Sequence, residues 1–208
     1  MLKKKINRVT IDLTLRAVDP ILVKEGEREK ERHDQREGDD KENKLRFLRT
    51  HQGDGEPYIP GSSIKGVLRQ QAEKIINLLS SDNPLACDPL AANGDEEEVS
   101  CSAKLEKRKK ENDGELDDRP YNLSCPICKI FGNQFTKSRI TFEDAYLTET
   151  SKQRLTEQLP TRDGAPINRF VGSNNNLFSY EYIENKNFVT TITLENFELW
   201  QLGLLSFL

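Results

Sequence analysis

A proline-glycine turn that runs straight into a long amphipathic segment, IPGSSIKGVLRQQAEKIINLL over residues 59–79, constrains this chain more than any other stretch. Ile64, Val67, Leu68, Ala72, Ile75, Ile76 and Leu79 recur at 3-and-4 spacing. That spacing predicts a single apolar stripe on a helix of about five turns. Ser62 or Ser63 can cap it, because a serine oxygen accepts from the free amides of a first helical turn. Lys65 and Arg69 fall off the stripe, four residues apart, on one basic edge. A serine-rich turn into a helix collects N–H groups, hydroxyls and the positive end of the helix dipole, an arrangement suited to a phosphate. The order is not that of a Walker A loop. A plain capped turn is the competing reading.

The flanks set the fold class. Val9, Ile11, Leu13 and Leu15 alternate with polar residues, the period of a half-buried strand. Residues 24–44 hold nine acids and seven bases with no apolar residue, which predicts a mobile surface loop or a fully solvated helix. Residues 80–124 read as a polar insertion with little periodicity. Residues 140–147 and 188–197 read as strands, 160–183 as a loop, and the last residues as the start of a second amphipathic helix capped near Asn196. Strand, long helix, strand, strand, helix start is the order of a ferredoxin-like α+β sandwich. Its final strand is missing from the order, so we expect a truncated or split polypeptide.

No run approaches the roughly 20 apolar residues of a membrane helix. The basic N-terminus gives way to strand alternation, not to the apolar core of a signal peptide. A cytoplasmic location with reduced thiols is therefore expected, and no membrane partner. The net charge of −4 does not exclude a polyanionic partner, because ten acids and five bases between Asp95 and Asp118 account for −5 of it. Binding to polyanions depends on local patches, and the remainder is close to neutral.

Cys87, Cys101, Cys125 and Cys128 are the four cysteines of the chain. Cys125-Pro-Ile-Cys128 is a knuckle whose thiolates can bite one tetrahedral zinc, and Cys87 and Cys101 could complete the site. With four thiolates no coordination position stays open, so such a metal would be structural. His33 or His51 could replace one ligand. A redox CxxC or four unrelated buried thiols are the alternatives.

Four ordered segments carry a resemblance. YIPGSSIKGVLR, CPICKIFGN, SRITFEDAYL, and APINRFVGSNNNLFSYEYI followed by FVTTITLENFELWQLGLL resemble the motifs of the RAMP superfamily, the repeat-associated RNA-binding proteins of CRISPR systems. The match is closest to backbone subunits of type III effector complexes, especially a zinc-containing, III-D-like branch. The resemblance implies a ferredoxin-like (RRM-like) palm in two parts, 1–86 with a charged loop at 24–54 and 129–208 with a thumb at 160–185, around a zinc-binding insertion at 87–128. It implies guide RNA, target RNA and other effector subunits as partners. Ser62, Ser63, Lys65 and Arg69 fall where family members contact guide phosphates. Asn168-Arg169 stands where many members have Asp-Arg. Arg169 would anchor the thumb or touch RNA, or else form an ion pair with Glu181 or Asp144.

Several type III backbone subunits cleave target RNA with a divalent metal and an aspartate in the loop between first strand and helix. An aspartate there could act as base or hold Mg²⁺ or Mn²⁺. In this chain the resemblance points to Asp40, then Asp39, then Asp34, with His33 or Arg36 assisting; Asp54 in its Gly-Asp-Gly setting reads as a turn residue. Three functions follow: a metal-dependent endoribonuclease subunit, a non-cleaving guide-RNA scaffold, or a zinc-stabilised RNA-binding domain outside CRISPR.

Overall fold

The computed structural model describes residues 4–24, 44–50, 55–80, 84–91, 100–111, 119–155, 158–164 and 178–208. Along the chain these form β1 (Arg8–Ala17), β2 (Lys44–Leu45), β3 (Tyr58–Ile59), α1 (Gly61–Leu78), α2 (Cys101–Glu111), α3 (Pro120–Leu123) and α4 (Pro126–Phe131). Then come β4 (Ile140–Phe142), β5 (Ala145–Leu147), α5 (Glu149–Gln153), β6 (Thr161–Gly164), β7 (Phe178–Glu181), β8 (Lys186–Glu195) and α6 (Leu199–Ser206). The fold is α+β, with strand order β1-β8-β5-β3, β4 also paired to β8, and a second sheet ordered β2-β7-β6. The chain divides into two compact units: 1–11, 61–143 and 192–208 form one, 12–60 and 144–191 the other.

In the first unit, β4 runs antiparallel to the end of β8, with Ile140 opposite Leu194 and Phe142 opposite Ile192. Helix α1 packs against β4 and α4. Ile64, Ala72 and Ile76 are buried on its inner side, among a core that includes Ile127, Ile130, Phe131, Ile140 and Leu194. Burying such a side chain contributes about 1.5–3 kcal/mol, so this face, more than helix propensity, holds the helix in place. The stripe is narrower than its sequence spacing predicts: Val67 is 68% and Leu79 73% exposed. Gly61 meets β4 so closely that a Cβ would overlap the carbonyl oxygens of Phe142 and Glu143. That approach accounts for a glycine at the helix start.

Three local expectations are corrected in this unit. The helix starts at Gly61, so Ser62 and Ser63 lie inside its first turn and do not precede it as caps. The insertion carries α2, whose sequence shows little period because Cys101 and Leu105 are its only buried residues. Helix α6 is capped by Glu198 in a capping box with Gln201, not near Asn196. Asn196 sits instead at φ 52°, a left-handed turn that asparagine tolerates. Its side chain accepts from Ile6 N–H at 2.7 Å and donates to the Lys4 carbonyl at 3.3 Å.

A polar cluster centred on one buried side chain joins α3 and α6. Gln201, fully buried, donates to the Tyr121 hydroxyl at 3.1 Å and accepts from Arg139 at 3.4 Å. Tyr121 donates to Glu198 at 2.6 Å, and the Arg139 guanidinium lies 3.8 Å over the Tyr121 ring. Burial and the hydrogen bond to Glu198 push the Tyr121 phenol up to about 12. Hydrogen bonds from Tyr121 and Trp200 hold the Glu198 carboxyl below the usual range.

In the second unit, β5 pairs antiparallel with β3 and β8, and the Tyr58 and Tyr146 rings stack 5.8 Å apart on the face opposite buried Ala145 and Leu147. The sequence read 140–147 as one strand; exposed Glu143 and Asp144 interrupt it between β4 and β5. Backbone bonds from Asn185 N–H to the Ala17 carbonyl here, and from Asn196 N–H to the Asn7 carbonyl in the first unit, run β1 antiparallel to β8. The expected loop at 160–183 is corrected at both ends, since β6 and β7 form an antiparallel hairpin there. Buried Glu181 on β7 accepts from Phe47 N–H at 3.1 Å and from Arg49 at 3.4 Å. None of the described helices is long and apolar enough to cross a membrane.

Candidate metal centre and helix elbow

The four cysteines converge, although 41 positions separate Cys87 from Cys128. Their sulfurs all lie within 4.8 Å of one another, with Cys101 and Cys128 buried and the other two half-buried. A tetrahedral site with metal–sulfur bonds of about 2.3 Å sets its sulfurs about 3.8 Å apart. The Cys87–Cys128 and Cys87–Cys125 sulfur distances are 3.6 and 3.7 Å, so the thiols fit such a site and could hold a metal such as zinc.

Local structure explains the convergence. Cys125 is the N-cap of α4 with proline next, so its sulfur accepts from Cys128 N–H at 3.4 Å and both thiols of the knuckle face one way. The sequence reading set this pair after a charged loop; it opens a helix, preceded by the short helix α3. Two further thiols close by, and not the helix position, separate it from a redox pair. Cys101 starts α2, and its sulfur accepts from Cys125 N–H at 3.2 Å. Gly132 ends α4 at φ 82°, where a Cβ would overlap the backbone of Thr136 and Ser138. Hydrogen bonds to Cys101, Cys125 and Cys87 drive the Cys128 thiol far up, while those to Cys101, Cys128 and Cys87 pull Cys125 far down. Four thiols this close cannot all ionise without a cation among them. Among the described residues, a cavity of about 620 Å³ lined in part by Glu73, Ala86, Cys87, Cys101 and Cys125 supplies an entry path.

The elbow lies at the start of α1, whose later turns pack against α4. Ser62 and Ser63 are exposed in a first turn that contains no acidic residue. Gly66 opens onto free space. Lys65 is half-buried and donates to Ser138 Oγ at 3.0 Å. Desolvation, and then the charge of Arg69, lower the Lys65 pKa. Arg69 turns inward: its guanidinium donates to Glu73 at 2.9 Å, to the Gly132 carbonyl at 3.3 Å and to Cys128 Sγ at 3.6 Å. Burial works against that charge, but the hydrogen bond to Glu73 and the field of Cys128 outweigh it and raise the Arg69 pKa. The basic edge expected from the sequence thus faces protein over part of its length.

Asn77 Oδ1, one further step of four along α1, accepts from Ala86 N–H beside Cys87 at 2.8 Å. Gly61, Lys65, Arg69, Glu73 and Asn77 therefore form one i, i+4 row from elbow to metal site. Sequence reasoning missed this row, although its spacing was visible. Asp34, Asp39, Asp40 and Arg169, with His33, Arg36, His51 and Asp54, lie outside the described residues.

The family model of the RAMP superfamily matches residues 14–208, nearly the whole chain. The chain belongs to the RAMP superfamily. That membership makes CRISPR-associated RNA binding, alongside other effector subunits, the coarse function of this RAMP protein. A search of curated proteins gave no match.

Proposed function

We propose that this RAMP protein is a guide-RNA-binding backbone subunit of a type III CRISPR interference complex. The observation that carries the reading is the start of α1, where exposed Ser62 and Ser63, free of any acidic neighbour in the first turn, stand beside the ammonium of Lys65. Amides, hydroxyls and one cation suit ribose-phosphate and read no base edges. Arg69 supports this cradle from behind.

The strand order supports a ferredoxin-like palm. In that topology the first strand lies beside the third and the third beside the second, as β1, β8 and β5 do here. The β6–β7 hairpin fits a thumb, and Arg169, which falls between the two strands in the sequence, would be its anchor or RNA contact. Zinc at the four cysteines would tie the insertion to α4 as a structural ion.

In the same reading the loop between β1 and α1 carries target cleavage, with Asp40 first, then Asp39 and Asp34, and with Mg²⁺ or Mn²⁺. Co-purification of the assembled complex tests the subunit role: guide RNA and effector subunits should be retained, and their absence would overturn it. Target cleavage by complexes with Asp40→Ala or Asp39→Ala tests the enzyme role. One lost set of products supports it, and an unchanged ladder leaves the non-cleaving scaffold.

A further inference from the structure

We infer that Arg69 is a positioning residue of the metal centre, and that through it metal occupancy sets the order of α1 back to the elbow. A four-thiolate zinc site carries a net charge of about −2, which hydrogen-bond donors to sulfur must offset in a half-buried setting. Backbone N–H groups serve two of the sulfurs, Cys101 from Cys125 at 3.2 Å and Cys125 from Cys128 at 3.4 Å. Cys128 Sγ receives Arg69 Nη2 at 3.6 Å, a full positive charge from another element.

The other arms of the same fork fix its aim. Nε donates to Glu73 at 2.9 Å within α1, and Nη1 to the Gly132 carbonyl at the end of α4, at 3.3 Å. A planar guanidinium with three separate partners cannot turn without losing two of them; a lysine would supply only a point charge. Loading the metal makes all four thiols thiolates, which strengthens the Arg69–Cys128 bond. The fork then pins α1 against α4. Four residues toward the elbow, Lys65 donates to Ser138 Oγ, whose single proton faces the Ile140 carbonyl of β4 at 2.7 Å, with the Ile130 carbonyl of α4 farther off at 3.3 Å. The Arg69 rung therefore ties α1 to the helix that carries the metal knuckle, and the Lys65 rung ties it to the segment between that helix and β4.

The full chain, loaded with zinc or with cobalt(II) as probe, tests this without RNA. Arg69→Gln should release zinc to a chelator about 10–100-fold more readily, as loss of an outer-shell partner does. Its cobalt thiolate charge-transfer band should move to longer wavelength, because an unbonded thiolate gives up charge more easily. Arg69→Lys should recover part of both effects. In hydrogen exchange, metal removal from the wild type should speed the amides of Lys65–Glu73 as well as those around the cysteines. In Arg69→Gln the change should stay with the cysteine segments. Wild-type zinc release and an unshifted band in folded Arg69→Gln would overturn the inference. So would a response of α1 that is equal in the two proteins. Should Arg69→Gln fail to fold, Glu73→Ala, which removes the acceptor of Nε without touching a sulfur, must shift the band and release in the same direction, and no shift refutes the proposal.

Discussion

Lys65 Nζ lies 3.0 Å from Ser138 Oγ, a neutral partner, while the charge of Arg69 stands one helical turn away. Its ammonium is partly desolvated, repelled by that charge and, among the described residues, hydrogen-bonded to a neutral hydroxyl. In the proposed reading an approaching phosphate would relieve that cost. Lys65→Met should therefore leave folding stability unchanged or slightly raised while weakening RNA binding. Urea denaturation beside RNA titration checks the pair of effects; a destabilised variant with normal RNA affinity would mean that Lys65 serves packing alone.

Two glycines of α1 should respond in opposite ways. At Gly61 a methyl group overlaps β4 carbonyls, so Gly61→Ala should cost about 1–3 kcal/mol. At Gly66 the methyl meets open space, so Gly66→Ala should gain about 1 kcal/mol from helix propensity. If RNA backbone approaches the solvent face of this turn, Gly66→Ala should also reduce RNA affinity despite the gain. Denaturant midpoints and binding isotherms of both variants read this out.

The Tyr121 cluster should make the fold sensitive to alkali and acid. The folded phenol titrates at about 12, against about 10 in the unfolded chain. A raised pKa contributes stability that is complete below pH 10 and is lost as pH rises toward 12. Glu198 works in the other direction: its lowered pKa contributes stability above the ordinary glutamate value that is lost as pH falls below it. Tyr121→Phe should flatten the alkaline loss, measured by thermal melts from pH 8 to 12 with phenolate absorbance followed in parallel.

Metal removal should affect more than the insertion. Stripping metal from the metal-loaded wild type should lower the melting temperature and weaken RNA binding together, because the row from Asn77 to Gly61 links the two ends of α1. Replacing Cys128 by serine should reproduce both effects and reduce metal content to below one ion per chain. Unchanged RNA affinity in the stripped, folded protein would uncouple the elbow from the cysteines.

Periodicity made the long elements legible. β1 and β8 alternate over ten residues each, and the helical spacing of α1 marks the element, although only Ile64, Ala72 and Ile76 of its expected stripe are buried. Helix α2 was hidden because its inner side needs only Cys101 and Leu105, a pair four apart in a charged run. The β6–β7 hairpin, expected from the resemblance as a thumb, was hidden from periodicity because Thr161, Arg162 and Asp163 are all exposed and leave no apolar alternation to read. The cysteine set was legible from chemistry alone, since four thiols can share one ion whatever lies between them. The aim of Arg69 was not, because its partners Gly132 and Cys128 come from about sixty positions away, and only the packing of α1 on α4 brings them together.

In the proposed reading the start of α1 grips an RNA backbone without regard to sequence. The most direct test is the affinity of wild type and Lys65→Met for several unrelated single-stranded RNAs across a salt series. The claim predicts similar affinities for all sequences, a linear fall of log affinity with log salt, and a slope shallower by about 0.7 in Lys65→Met, the value for one lost phosphate contact on a single strand. An unchanged slope and affinity in Lys65→Met, or binding that follows base sequence, would contradict it.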